Sequence, residues 1–170
     1  SEKIRSYWNE FRELYEDIGE NSTIQGAMIL YSMTNARKAT KICEVGVGCG
    51  KAARMFISEI MKKNSVHFVS DISDEMISEF VTKFNQSDSA YNPKVKLQSL
   101  EESESIDTER LTQEMGEDVE RKVFAVRANN EKLPYPNSYF DLYISNLSLM
   151  LVTNHQNQLR EAYRVMEDEI

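Results

Sequence analysis

The sequence predicts an α/β protein built on a parallel sheet, and three observations carry that expectation. The stretch from Lys41 to Lys51 opens with β-forming Ile42, Cys43 and Val45 and turns on Gly46, Gly48 and Gly50. It then passes into helical spacing at Ala53, Phe56, Ile57 and Ile60. A second β-rich run, Val66 to Asp71, ends on an acid 21 positions beyond Gly50. A third, Phe140 to Asn146, is apolar on both faces, as a central parallel strand is.

Composition sets the bounds. The chain of 170 residues, 41% hydrophobic and 28% charged, can bury one sizeable core, so one domain is the natural count. No run is long and apolar enough for a membrane helix, and the first residues do not read as a signal peptide. Cys43 and Cys49 make no disulfide framework and have no histidine near enough in sequence to suggest zinc. They read as small buried apolar side chains in a protein of the reducing cytosol, and no metal site is expected. The net charge of −8 is concentrated: residues 101–120 hold nine acids and one base, while the remainder balances at 19 acids against 19 bases. A neutral body with one acidic insert lacks the basic stripe of a nucleic-acid binder.

Taken in order, residues 2–17 read as an amphipathic helix with an aromatic stripe of Ile4, Trp8, Phe11 and Tyr15, flanked by Tyr7 and Leu14. The stripe packs the helix on the domain, and the same face can serve as a lid over a ligand. Gly19 breaks this helix. A second one, capped at Ser22 or Thr23, runs to about Thr34 with Ile24, Met28 and Tyr31 inward. Residues 1–40 thus form a helical cap and residues 41–170 the main domain. The helix after Gly50 runs to about Lys63, and a helix capped by Ser73 follows the second strand, with Met76, Ile77, Phe80 and Phe84 inward. Residues 87–120 read as a solvated acidic insert containing a short strand or extended strip at Lys94–Leu100 and a helix within 108–119. Val123–Val126 is a third strand and Phe140–Asn146 a fourth. A last helix shows Leu159, Ala162, Tyr163 and Met166 on one face. His67 reads as a core histidine, and His155 as a solvent-exposed helix-start residue.

Spacing decides what the glycine turn can hold. A phosphate-cradling loop needs four residues between its glycines and then Gly-Lys-Ser/Thr; here three residues separate Gly46 from Gly50, and Ala52 stands at the hydroxyl position. A dinucleotide turn needs a third glycine where Lys51 stands. The remaining pattern, Glu44-x-Gly46-x-Gly48-x-Gly50, resembles the first motif of the class I S-adenosylmethionine methyltransferases. Asp71-Ile72-Ser73-Asp74-Glu75-Met76 is similar to that family's second-strand motif. Asn129-Asn130-Glu131-Lys132-Leu133-Pro134 through Phe140-Asp141 is similar to the signature of its members related to ubiquinone-biosynthesis enzymes, with Asn129 standing where the family has Asp.

The resemblance implies a Rossmann-like parallel sheet containing strands in the order 3-2-1-4, with helices on both faces. It implies S-adenosyl-L-methionine as cofactor and a small-molecule acceptor. Glu44 would face the cofactor's positive groups, and Gly46, Gly48 and Gly50 would let the backbone approach it. Asp71 would bind the ribose, and Ile72 and Met76 the adenine. Asn129 would accept from the adenine amino group, Asn130 would donate its backbone N–H, and Ser145 and Asn146 would follow the fourth strand at the ligand's side. An acid at Asp71 also fits the general ribose-binding position of nucleotide-binding α/β folds, although it could only cap the next helix. No catalytic residue is nominated. A non-catalytic methyltransferase-like protein, working by binding or assembly, is the competing function. The family sheet has seven strands in the order 3-2-1-4-5-7-6, and the usual Lys-Pro-Gly-Gly is replaced by Glu167-Asp168-Glu169-Ile170. The sequence is therefore expected to be part of a longer protein, or its fourth strand to be covered by a partner or a second copy.

Overall fold

The computed structural model describes residues 2–18, 20–101 and 103–166. Strands β1 (Lys41–Val45), β2 (Ser65–Asp71), β3 (Val95–Leu100), β4 (Arg121–Arg127) and β5 (Leu142–Ser145) form one sheet in the order β3-β4-β2-β1-β5. Every neighbouring pair is parallel. Four of these are the expected strands in the expected 3-2-1-4 order, and the Lys94–Leu100 strip supplies the fifth on the outer edge of β4. All seven positions of β2 are buried, which is what a strand covered on both faces requires.

Side-chain alternation splits the core into two layers. Ile42, Val69, Val123, Ala125 and Ile144 face one side, against α2 (Glu20–Met33), α3 (Lys51–Met55, continued by a π turn over Phe56–Ile60) and α4 (Asp74–Asn85). Cys43, Val45, Phe68, Phe124 and Val126 face the other, against α6 (Thr108–Glu114), the 133–140 segment and α7 (His155–Val165). Helix α1 (Glu2–Ile18) lies over α4, and the short α5 (Asp88–Tyr91) leads into β3. No helix among the described residues is long and apolar enough to cross a membrane.

Three expectations need correction. Residues 101–120 are not merely a solvated excursion: Ile106, Thr108 and Val119 are buried, and the Ile106 N–H donates to the Pro134 carbonyl at 2.7 Å. Apolar residues spaced among the exposed acids anchor the insert. In α2 the inward residues are Ala27 and Tyr31, while Met28 is exposed. In α7 the buried residues are Gln158 and Val165, and Leu159 and Tyr163 point to solvent. Polar anchors set that phase. Gln158 Nε2 donates to Ser145 Oγ at 3.0 Å, and the Arg164 guanidinium donates to the Leu133 and Tyr135 carbonyls at 3.0 and 2.7 Å. The side chains of Leu14 and Tyr15, the Gly19 break, Glu102 and Glu167–Ile170 lie outside the described residues.

Beyond α7, Met166 makes one parallel bridge to Phe140. The Asp141 N–H donates to the Lys41 carbonyl, whereas the Phe140 N–H donates to the Val165 carbonyl. Successive amides of an extended chain point to opposite sides, so Met166 lies on the side of β5 away from β1.

Candidate functional site

The sheet reverses its winding between β1 and β5, and ligands of open α/β sheets bind at such a point, beyond the carboxyl ends of the strands. A cavity of about 310 Å³ lies there, within the range of small-molecule sites. The loop after β1 gives it Gly46 and Gly48, the end of β2 gives Asp71, Ile72 and, from α4, Met76. The segment after β4 gives Asn129, Asn130 and Glu131, and the segment after β5 gives Asn146, Leu147 and Ser148. Ile4, Trp8 and Phe11 of α1, with Ser22 and Thr23 of α2, line the remaining side.

The glycine turn is shaped by its left-handed backbone. Gly46 has φ of 65°, and a Cβ there would stand 2.4 Å from the Ser148 Cβ, so only bare backbone fits between the loops after β1 and β5. Asp71 fixes the turn: its Oδ2 accepts from the Gly48 N–H at 2.9 Å, and its Oδ1 accepts from the Ser73 N–H at 3.0 Å. Burial pushes the Asp71 carboxyl above its usual value, and the backbone N–H groups of Ser73, Gly48 and Ile72 pull it partly back. Ser73 caps α4 by accepting from the Met76 N–H, which frees Asp71 from that duty.

Beyond Gly48, the loop after β4 is built by a side-chain turn, with Asn129 Oδ1 accepting from the Glu131 N–H at 3.0 Å. One lone pair of that oxygen remains for a ligand. Glu131 Oε1 in turn accepts from the Thr153 N–H at 2.8 Å, joining this loop to the start of α7. Asn146 Nδ2 donates to the Thr23 carbonyl at 2.8 Å and so holds α2 against the loop after β5. Ser73 Oγ bonds Asn9 Oδ1 at 2.6 Å and does the same for α1. Among the described residues no group of three or more His, Cys, Asp or Glu could hold a metal ion.

Eight of the eleven sequence-predicted residues meet at the cavity: Gly46, Gly48, Asp71, Ile72, Met76, Asn129, Asn130 and Asn146. Three do not line it. Glu44 shares its strand face with Ile42, so alternation turns it into the layer beneath α2, where it is 3% exposed and its Oε2 lies 3.0 Å from Nε2 of the fully buried His67. Gly50 takes φ of 71° at the start of α3, and a Cβ there would meet the Phe80 ring at 2.1 Å; its glycine serves helix packing. Ser145 is held behind the cavity wall, with its Oγ bonded to Ser148 Oγ and Gln158 Nε2. Sequence reasoning missed Ser148 and Glu131. Ser148 is recognisable only through its contact with Gly46, and Glu131 only through the fold of the loop after β4.

A parallel sheet whose winding reverses over a glycine turn, with a carboxylate of the next strand tied to that turn, defines an open α/β domain with its candidate site at the switch point. A family model described as a methyltransferase domain matches residues 43–169, and the chain belongs to that type 11 methyltransferase family. Among solved structures it is similar to the YcgJ protein of Bacillus subtilis, at 17% identity and a TM-score of 0.56, covering 85% of this chain and 47% of that one. It is also similar to a candidate S-adenosyl-L-methionine-dependent methyltransferase of Methanococcus maripaludis, at 13% identity and 0.56, covering 96% and 59%. A third likeness is to the [4+2]-cyclase SpnF, at 17% and 0.52, covering 84% and 42%. The chain thus spans about half the length of these structures. No curated protein matches it.

Proposed function

We propose that this domain binds S-adenosyl-L-methionine and directs its methyl group to a small-molecule acceptor. The observation that carries the reading is the buried Asp71 carboxylate at the end of β2, bonded to Gly48 and facing the cavity. One carboxylate there both sets the turn and keeps lone pairs for ribose hydroxyls. The bare backbone at Gly46 and Gly48 fits a ligand that must lie close to the main chain.

The bound cofactor supplies an electrophilic methyl group on a sulfonium. The chain's own residues position it. Ile72 and Met76 pack against the adenine, while Asn129 and the Asn130 backbone meet its polar edge. Glu44, Gly50 and Ser145 act from behind the wall, by fixing β1, α3 and Ser148. Ile4, Trp8 and Phe11 cover the opposite side as a lid that limits water. In-line alignment of this kind contributes roughly 7–11 kcal/mol of barrier reduction without a covalent nucleophile. Among the described residues lining the cavity, only Asp71 and Glu131 are titratable, so the arrangement favours an acceptor that arrives as a ready nucleophile.

The test is calorimetric titration with S-adenosylhomocysteine. Micromolar-range binding that Asp71→Ala abolishes is expected. Silence with the intact protein would overturn the reading in favour of a non-catalytic role in binding or assembly.

A further inference from the structure

Of the two described carboxylates that line the cavity, the cofactor reading uses Asp71 and leaves Glu131 without a role. Asp71 is held at the glycine turn, where it accepts two backbone N–H bonds. Glu131 is half-buried and enters the cavity wall from the loop after β4, its backbone N–H tied to Asn129 Oδ1. Its carboxylate is fixed through Oε1, which accepts from the Thr153 N–H at 2.8 Å. Thr153 lies past the 3-10 turn Leu149–Leu151, beyond Ser148, the residue that meets Gly46. The Glu131 carboxylate is thus anchored at the start of α7. Its Oε2 has no described bond and is not among the buried oxygens left without a partner, so it keeps accessible surface.

The wall around that oxygen is apolar. Leu151 and Val152, which directly precede Thr153, line the cavity together with Leu147. Leu147 and Leu151 are 47% and 41% exposed, so an apolar ligand body gains by covering them. Trp8 and Phe11 line the side given by α1, and aromatic faces attract cations. No lysine, arginine or histidine among the described residues lines the cavity, so Glu131 meets no fixed countercharge there. A carboxylate with one open oxygen in such a wall takes a cationic donor in preference to a neutral one, and it repels an anion.

We propose that Glu131 selects the acceptor: its open Oε2 takes the ammonium of a protonated amine whose apolar body lies on Leu147, Leu151 and Val152. A protonated amine has no lone pair to give, so it anchors the acceptor and is not itself the atom that is methylated. The proposal rests on the cofactor reading above and names the substrate class of that same site.

The test is calorimetric titration, at neutral pH, of the protein saturated with S-adenosylhomocysteine. The probes are hexylamine, 1-hexanol and hexanoate, which share an apolar chain and differ in head group. Hexylamine is expected to bind about 10-fold more tightly than 1-hexanol, with hexanoate weakest. Glu131→Gln keeps an oxygen for the Thr153 N–H and removes the charge. It should bring the three probes within about threefold of one another and leave S-adenosylhomocysteine within about twofold. Hexanoate binding as tightly as hexylamine would overturn the proposal, as would silence towards all three probes or an amine preference that survives Glu131→Gln. A loss of S-adenosylhomocysteine as large as that of hexylamine would assign the carboxylate to the cofactor and overturn it too. Should Glu131→Gln fail to fold, Leu151→Lys decides: at a half-exposed position it sets a fixed cation near Glu131, and an amine preference that persists there would overturn the proposal. Failure of the wild-type protein to bind S-adenosylhomocysteine would instead sink the cofactor reading, and this inference with it.

Discussion

The Glu44–His67 pair supplies the sharpest test of which face of β1 serves what. Both residues belong to the layer under α2; Glu44 is 3% exposed, His67 fully buried, and their Oε2 and Nε2 atoms lie 3.0 Å apart. The Phe56 ring meets the imidazole edge-on at 5.3 Å and Tyr31 packs on Phe56 at 4.9 Å. Burial, and secondarily the Glu44 carboxylate, hold the Tyr31 hydroxyl well above its usual value, as expected of a phenol beside a buried acid. Replacing His67 by Phe preserves the ring packing and leaves the carboxylate in an apolar layer without its imidazole. Breaking one side of a buried pair costs about 3–5 kcal/mol, which is a large share of a domain's roughly 5–15 kcal/mol. At about 2–4 °C per kcal/mol for a chain of this size, the thermal midpoint falls by roughly 6–20 °C. The double variant His67→Phe with Glu44→Leu removes the buried acid as well and recovers most of the loss. Thermal unfolding followed by circular dichroism gives the coupling, and titration with S-adenosylhomocysteine is run on the double variant. The reasoning is refuted if the double variant melts like the wild type yet has lost the ligand, because the carboxylate would then serve the cavity and not the core.

Three further outcomes follow from the same geometry. Gly50→Ala forces a left-handed backbone costing about 1–2 kcal/mol and presses a methyl group into Phe80 for a further 1–3 kcal/mol. Urea unfolding reports the loss, while ligand affinity of the folded fraction stays near wild type. Acidification should weaken S-adenosylhomocysteine through Asp71: its carboxyl is raised by burial, so it protonates above the ordinary carboxylate value and loses its acceptor there. The stability term has the opposite sign, because the cost of ionising buried Asp71 is absent below the ordinary value and appears as pH rises through the raised one. Titrations across about pH 4 to 8 should show wild-type affinity falling on the acid side and Asp71→Asn flat. Arg164→Met removes bonds to the Leu133 and Tyr135 carbonyls and to Glu161; the Arg164 side chain is 31% exposed, so the loss is about 2 kcal/mol. Hydrogen exchange should speed up across residues 129–137 while the β2 amides stay protected.

The sheet was legible because each of its central strands is a short apolar run followed by its own punctuation: glycines after Val45, an acid at Asp71, a proline-containing turn after Leu133. The cavity side of the site was legible for the same reason, since residues at strand ends are placed by chain order alone. β3 was harder to read. Its burial alternates weakly because it is an edge strand, with Val95 buried and Lys96, Gln98 and Ser99 in more open positions. Ser148 carries no local signal at all: its place is set by a glycine 102 positions earlier, whose missing Cβ it occupies.

The misread helix faces and the misplaced Glu44 share one cause. Apolar periodicity predicts orientation when apolar burial alone decides it, and in each of these elements a polar contact across the fold decides instead. In α7 the bonds of Gln158 and Arg164 outweigh burial of Leu159 and Tyr163, which are left 57% and 78% exposed. In β1 the charge of Glu44 suggests a solvent- or ligand-facing position, yet strand alternation ties residue 44 to the face of Ile42, and His67, two residues along β2 from Glu44's own partner Val69, meets it there. Had position 67 been an aliphatic residue, Glu44 in that layer would face an uncompensated desolvation cost of several kcal/mol. The imidazole at 67 lies against that acidic motif residue behind the cavity wall, while Asp71 and Glu131 are the carboxylates that line the cavity itself.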